Sequence, residues 1–404
     1  MSTADTAAAR PSDYESFPYI ERTTDFPAIE LVDPGHRRSS YAADLSVKQQ
    51  ATVDRLLHGL VISFHDHPQM FPTDMSQVFP YLQSRREFTA FSELRASGVT
   101  ILFDNLVGQI GASTPSGWKW EDLITATGMR LADLAHREDV MVVRRVQDII
   151  DAQREGVLGF VLGTESAGMI ENELDRLDVL YGFGIRQMGL VYADSNTLGS
   201  GQKESRDGGL TTFGRKAVQR MNALGILIDV SHASDRTSLD AIEASSVPIA
   251  VTHAGARSVW PTPRMKSDDV LKALADRGGV LGLEAAPHTT VSPKHSTHTI
   301  DSVMDHFTYV VDLIGIEHVA FGPDAIYGDH VGLHDAVSSR LDLSGMRGTQ
   351  KLEYEQVDYV DGLENPTENF RNIAGWLVEH GYSESDIEAV LGGNILRLVR
   401  EVWR

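Results

Sequence analysis

The chain has 404 residues, of which 42% are hydrophobic, 23% charged and 7% aromatic, a composition that excludes fibrous, collagen-like and wholly disordered proteins. Its 57 acidic and 36 basic residues give a net charge of −21, which argues against nucleic acid or an anionic membrane as the main partner because like charges repel. There is no cysteine, so any metal must be held by histidines and carboxylates.

The first part of the chain, residues 1–45, has several prolines and no sustained hydrophobic period, which predicts an extended arm that precedes one domain of residues 46–404. The start lacks the basic and apolar segments of a secretory signal, and no run of about 18 apolar residues occurs. We therefore expect a cytoplasmic protein.

From residue 46 onward, short apolar runs alternate with segments of helical spacing, which is the pattern of repeated β–α units. Eight strands are predicted, at residues 60–64, 99–103, 157–162, 185–190, 225–230, 248–251, 279–283 and 318–321. The helices predicted between them include residues 86–96, 131–150, 171–182, 211–224, 235–244, 267–277 and 300–314. This order predicts an α/β fold of the (β/α)8 TIM-barrel type.

A doubly wound open sheet is the rival fold, but it needs a glycine-rich phosphate loop after the first strand. Here Phe64 is followed by His65, Asp66, His67 and Pro68 instead, so the barrel is favoured. Residues 326–361 are predicted to form a long loop over the barrel mouth, and residues 367–402 two closing helices.

Metal-ligating residue types follow most of the predicted strands, at the end of a barrel where active sites are built. They are His65 and His67 after the first strand, Glu165 after the third, His232 after the fifth, His253 after the sixth and Asp324 after the eighth. Neutral imidazoles and a carboxylate that converge on one point suit a zinc-type ion, and a carboxylate can bridge two ions. We therefore predict one or two Zn²⁺ ions per chain.

The predicted chemistry is attack on an amide carbonyl by a metal-bound hydroxide. Asp324 is placed to act as a general base that takes the proton and later delivers it to the leaving amine. Each residue alone also has a structural explanation: a histidine can be a hydrogen-bonded loop residue, Glu165 a helix cap and Asp324 a turn residue.

Several motifs, in this order and spacing, resemble the renal or membrane dipeptidase family of zinc peptidases, within the amidohydrolase-like metal barrels. The motifs are residues 163–168 (GTESAG), 209–215 (GLTTFGR), 221–232 (MNALGILIDVSH), 252–257 (THAGAR), 322–324 (GPD) and 391–397 (LGGNILR). The resemblance implies hydrolysis of a dipeptide or similar small amide and is compatible with a homodimer.

The resemblance also implies roles for individual residues. His65, His67 and Glu165 would hold one zinc, and Glu165, His232 and His253 the second. Asp324 matches the family's catalytic acid. Arg264 falls where the family clamps a substrate carboxylate, which suits the planar fork of a guanidinium; otherwise Arg264 is a solvated loop charge.

Two departures from the family pattern concern the site itself. The family has His-X-Asp after the first strand, whereas this chain has His65, Asp66 and His67, so one negative ligand is lost and metal preference or occupancy can change. After the fourth strand, residues 191–196 (VYADSN) contain no histidine, where the family has one that steadies the tetrahedral intermediate. Either Tyr192 donates the missing hydrogen bond or the reaction differs.

Two further acids, Asp104 after the second strand and Glu284 after the seventh, are predicted to contact a substrate that carries a cation or several hydrogen-bond donors; solvated loop acids are the alternative. Three functions therefore remain open. The first is a metal-dependent dipeptidase, the second is the same barrel acting on another C–N bond such as a lactam or cyclic amide, and the third is a binding or scaffold protein on a degenerate barrel.

Overall fold

The computed structural model describes residues 16–106, 119–341 and 352–404. Its sheet has nine strands, all paired in parallel, in the order β1-β2-β4-β5-β6-β7-β8-β9, with β3 paired to β4 off this path. The strands are β1 Ile62–Asp66, β2 Ile101–Asn105, β3 Val140–Val142, β4 Leu158–Thr164, β5 Ile185–Gly189, β6 Leu227–Asp229, β7 Ala250–Ala254, β8 Val280–Leu283 and β9 Val319–Phe321.

The segment after β9 brings the last strand round to the first. The Asp324 amide donates to the His65 carbonyl (3.0 Å), and the His67 amide donates to the Ala325 carbonyl (3.1 Å). All eight predicted strands are present, and their parallel, sequential pairing confirms the predicted (β/α)8 barrel.

Helices precede the first strand, lie between successive strands and follow the last one. In the described residues they are α1 Arg22–Asp25, α2 Val47–Leu57, α3 Val78–Gln83, α4 Phe91–Ala96, α5 Trp120–Ala135, α6 Val146–Glu155, α7 Asp175–Phe183, α8 Thr212–Leu224, α9 Asp235–Ala244, α10 Asp268–Asp276, α11 Ile300–Ile314, α12 His330–Leu341, α13 Asn369–Glu379, α14 Glu384–Glu388 and α15 Asn394–Val402. Helix α8 shows why they begin and end where they do: the Thr211 hydroxyl caps it by accepting from the Gly214 amide, and Gly225 ends it at φ 81°. Among these helices none is both long and apolar enough to cross a membrane.

The predicted helix at residues 131–150 is wrong, because α5 ends at Ala135 and α6 begins at Val146. Between them lies β3, whose register pairs Val140 with Leu158 and Val142 with Phe160. The first half of β4 is not paired with β5, because the pairing of these two strands begins only at Leu162 of β4. Strand β3, a short segment with two β-branched valines, pairs along the edge of β4 that would otherwise be open.

Two predictions after β9 need correction. The predicted loop at residues 326–361 contains helix α12, while residues 342–351 lie outside the described part. Three helices, α13 to α15, lie in the segment where two closing helices were predicted, with a π-helical turn, Ala389–Gly393, between α14 and α15. A side chain at Gly392 would meet the Leu60 carbonyl at 2.7 Å, so the glycine in this wide turn lets the chain approach the barrel wall closely.

The barrel interior is an apolar core that is closed at one end by α15. Ile62, Phe64, Ile101 and Phe103 pack in one buried cluster with the inward face of this helix, and the Trp403 ring lies 6.2 Å from the Phe103 ring. Polar residues lie at the opposite end of the barrel, where the strands end.

The described part of the arm lies against the body. Phe17 and Phe26 are buried, with their rings 5.4 and 4.7 Å from that of Phe88, and the Val32 amide donates to the Phe71 carbonyl (2.9 Å). The division of the chain at residue 45 stays a prediction.

Candidate metal centre

Histidines and carboxylates meet where the strands end, at the mouth of the barrel. His65 lies on β1, His253 on β7, and Glu165 directly follows β4. His67, His232 and Asp324 lie one to three residues beyond β1, β6 and β9. Parallel strands end at one edge of the barrel, so side chains far apart in the sequence become neighbours.

One half of the cluster consists of Glu165, His232 and His253. The Nε2 atom of His232 lies 3.0 Å from Oε2 of Glu165 and 2.9 Å from Nε2 of His253, and the latter is 3.8 Å from the same carboxylate oxygen. A tetrahedral zinc at roughly 2.0–2.1 Å from each nitrogen keeps its ligands about 3.3 Å apart. These three side chains therefore fit a zinc-sized ion.

The other half contains His65, His67 and Asp324. Oδ1 of Asp324 lies 3.3 Å from Nε2 of His65 and 3.2 Å from Nε2 of His67, and Oε1 of Glu165 lies 3.8 Å from Nε2 of His67. The two oxygens of Glu165 thus face different halves of the cluster. The buried Nε2 atom of His65 makes no hydrogen bond to a described residue, as expected of a nitrogen reserved for a metal.

Asn105, the last residue of β2, contacts both histidines of that half. Its main-chain carbonyl oxygen lies 3.1 Å from Nδ1 of His67, and its side-chain amide nitrogen lies 2.8 Å from Nδ1 of His65. A proton on Nδ1 of His67 leaves the Nε2 lone pair for a metal, and the Asn105 oxygen can hold His65 in the same tautomer when the amide turns over. Asn105 is therefore a positioning residue.

Replacing Asn105 by leucine is expected to weaken metal binding about 10- to 100-fold, because the His65 imidazole loses the side-chain partner that fixes its orientation, while the main-chain carbonyl beside His67 is kept. Bound zinc per chain, measured under competition with a chelator, checks this. The circular-dichroism spectrum of the metal-depleted variant should match that of the unchanged protein. Equal zinc affinity in both proteins would contradict the positioning role.

Burial and neighbouring charges set the protonation of the cluster. Burial, reinforced by the positive charge of Arg264, lowers the pKa of His232 to about 4. Burial and neighbouring His65 lower that of His253 well below its usual range. Burial opposes charge on His67, but the Asp324 carboxylate outweighs it and raises the pKa to about 9. Neutral imidazoles in the first half of the cluster are the form that binds a metal.

Tyr192 and Arg264 also lie at the cluster. The Tyr192 ring is 4.2 Å from the His232 ring, and burial, with the Glu165 charge, raises the phenol pKa well above its usual value, so the phenol keeps its proton and remains a donor. Arg264 is buried and donates to the Glu284 carboxylate and to the His253 carbonyl (2.9 Å). Its guanidinium is thus already paired with an acid.

The two acids that the sequence analysis grouped together lie in different surroundings. Glu284 is fully buried beside Asp324 and His253. Asp104 is also fully buried, but it forms an ion pair with Arg130 of α5 (2.9 Å) on the helix side of the sheet. The structure therefore brings Glu284 into the cluster and leaves Asp104 outside it; a contact between Asp104 and the substrate stays a prediction.

Three polar residues near the site were not predicted from the sequence as site residues. Besides Asn105, Asp66 accepts from the Ala325 amide (2.8 Å) and the Ser63 hydroxyl (2.6 Å), which fastens the loop that carries Asp324. His330 begins α12, and burial lowers the pKa of its imidazole to about 3, against the smaller opposing effect of the Asp324 and Glu165 carboxylates. Asn105 and Asp66 lie at strand ends and could have been found there, whereas His330 belongs to a segment predicted as loop.

Comparison with known proteins gives a consistent family. Residues 124–341 match the membrane dipeptidase family, peptidase family M19. Dipeptidase tcpJ of Claviceps purpurea is 26% identical over 272 residues, which are 67% of this chain and 55% of that protein. Human dipeptidase 3 is 26% identical over 313 residues, 74% of this chain and 57% of the human one. The chain thus spans about half the length of these curated relatives.

Solved structures agree on the fold. An amidohydrolase from Pseudomonas aeruginosa superposes with a TM-score of 0.71 at 25% identity, covering 87% of this chain and 99% of that one. A metallopeptidase from Rhodobacter sphaeroides gives a TM-score of 0.65 at 18% identity, over 85% and 99% of the two chains. The family match spans more than half of the sequence and includes Glu165, His232, His253 and Asp324. The chain therefore belongs to the membrane dipeptidase family, peptidase family M19.

Proposed function

We propose that the protein is a metal-dependent dipeptidase, or a hydrolase of a similarly small amide, with one or two zinc ions per chain. The single observation that carries the proposal is the position of Glu165, whose Oε2 lies 3.0 and 3.8 Å from Nε2 of His232 and His253 while its Oε1 lies 3.8 Å from Nε2 of His67. Relatives named as dipeptidases support the substrate class.

Two sets of side chains would hold the ions: His65 and His67 with Glu165, and Glu165 with His232 and His253. Bound there, zinc supplies a Lewis acid and acidifies water. The neutral state of His232 and His253 favours binding of a dication, because the lone pairs of their nitrogens are free to ligate it.

The other residues of the cluster have distinct tasks in this proposal. Asp324 takes a proton from water and returns it to the departing amine, since its Oδ1 lies within the cluster, 3.3 and 3.2 Å from Nε2 of His65 and His67. Tyr192 donates a hydrogen bond from its phenol to the oxygen that becomes negative as the amide carbonyl is attacked, and keeps its proton. Arg264 orients the substrate carboxylate through the N–H groups that Glu284 does not use.

The proposal predicts that purified protein supplied with zinc hydrolyses members of a dipeptide panel, and that dialysis against a strong chelator abolishes turnover until zinc is restored. Amine release measures the reaction. Controls are the same panel with zinc alone and with metal-depleted protein. Cleavage of lactams or other cyclic amides, with no dipeptide cleaved, would favour the alternative C–N bond; no bound metal and no turnover would favour a binding protein and overturn the proposal.

We also propose a cytoplasmic location and a homodimer. Cell fractionation tests the first, and light scattering of the purified chain tests the second.

A further inference from the structure

Glu284 has the features of a metal ligand that the family resemblance does not assign. It follows β8 directly, its side chain is 0% exposed, and one of its oxygens, Oε2, is bound by Arg264. The other oxygen, Oε1, is buried and makes no hydrogen bond to a described residue. Thr289 lies beside this carboxylate but donates its hydroxyl proton to the Ala286 carbonyl (2.6 Å). A buried carboxylate oxygen without a partner is costly unless a cation meets it.

The surroundings of Glu284 fit a metal. One ligand atom each from His253, Glu284 and Asp324 lies within 4.8 Å of the others, as do the atoms of two further groups, His65 with His67 and Asp324, and His65 with Glu165 and His253. Any two of the three groups share one residue. Glu284 therefore continues the same cluster toward β8.

Charge balance favours a third carboxylate at this position. Two divalent ions bring four positive charges, and Glu165 and Asp324 offset two of them. The first strand supplies His67 instead of a second carboxylate near that ion. Buried Arg264 adds one further positive charge beside the cluster. An additional buried anion reduces this excess of positive charge. Uncompensated charge in a site of low dielectric has a high electrostatic free energy.

We propose that Glu284 is a carboxylate ligand of the metal centre, acting through Oε1 together with His253 and beside the Asp324 carboxylate, while Arg264 holds Oε2. This inference rests on the proposed metal centre, but not on which amide is cleaved. It reassigns Glu284 from substrate recognition to metal binding.

The test is metal binding by Glu284→Gln, which removes the charge and keeps the size. We expect zinc affinity, measured with a competing chelator in the absence of substrate, to fall about tenfold or more, and the visible absorption of the cobalt-substituted protein to change in position and intensity, since it reports the ligand set. Glu364→Gln is the matched control: Glu364 is also a buried acid, it accepts from the Gly362 amide (3.0 Å), and it belongs to none of the three groups.

A second variant, Glu284→Asp, covers the case in which Glu284→Gln fails to fold. It keeps a negative charge for Arg264, but its side chain is one methylene shorter, so the carboxylate oxygens lie farther from the metal site. It should fold, give the melting temperature of the metal-depleted parent within a few degrees, and still show an altered cobalt spectrum. Unchanged zinc affinity and cobalt spectra in both Glu284 variants would overturn the inference. So would a rise in KM confined to dipeptides with an unmodified amine, with metal binding intact, because Glu284 would then bind the substrate ammonium. Weakened zinc binding in a protein that cleaves no dipeptide would uphold the ligand role and reject only the proposed activity.

Discussion

Changing His253 to alanine is expected to lower turnover by about three orders of magnitude or more and to remove at least one metal ion per chain. The His253 Nε2 atom lies 2.9 Å from that of His232 and 3.8 Å from Glu165, so its loss leaves only two of the three ligands in that half of the cluster. A two-ligand site binds zinc far more weakly than a three-ligand one. Elemental analysis of the purified variant, beside its rate on the best dipeptide, measures both effects.

The fold of this variant should survive. The lost imidazole has polar neighbours in His232, Glu165 and Thr252, so water can take its place there more readily than in the apolar core. His318→Ala is the control, since His318 lies just before β9 at the other end of the barrel and its imidazole Nδ1 contacts the Gly279 carbonyl (2.8 Å), far from the metal ligands. Full metal content and turnover in His253→Ala would refute the metal assignment.

The sequence predicted the barrel because hydrophobic patterning and strand-end chemistry both repeat with each β–α unit. All eight strands were found from short apolar runs, and Asp235–Ala244 and Ile300–Ile314 have the predicted bounds. Strand β3 could not be found this way, because its three residues continue the apolar spacing of the flanking helices. Only pairing with the open half of β4 makes it a strand.

The same distinction applies to the site. His65, Glu165, His232 and His253 were predicted from their places after strands, and the structure brings them together. Glu284 and Asp104 looked alike in the sequence, since each is an acid at a strand end. Which of them enters the cluster depends on the direction of its side chain. Asp104 instead pairs with Arg130 of α5, a contact between distant residues that the sequence does not reveal.

Asp324→Asn is expected to lower kcat by 10²- to 10⁴-fold, the range typical of a lost general base, with little change in bound zinc. Asparagine is the informative replacement because Asp324 has a positive φ of 57°, a conformation that asparagine tolerates better than other residues of its size. The backbone bond from the Asp324 amide to the His65 carbonyl is therefore kept, and only the proton acceptor is lost.

The matched control is Asp329→Asn in the same loop, where the carboxylate accepts from the Gly332 amide (2.8 Å) at the start of α12. It should retain kcat, because the asparagine oxygen can accept the same bond. Steady-state rates and zinc content, measured for both variants, separate two roles for Asp324. A parallel fall of kcat and zinc would make it a ligand of the His65 and His67 half, since Oδ1 lies 3.2–3.3 Å from both imidazoles. A fall of kcat alone leaves the carboxylate as the group that moves the proton.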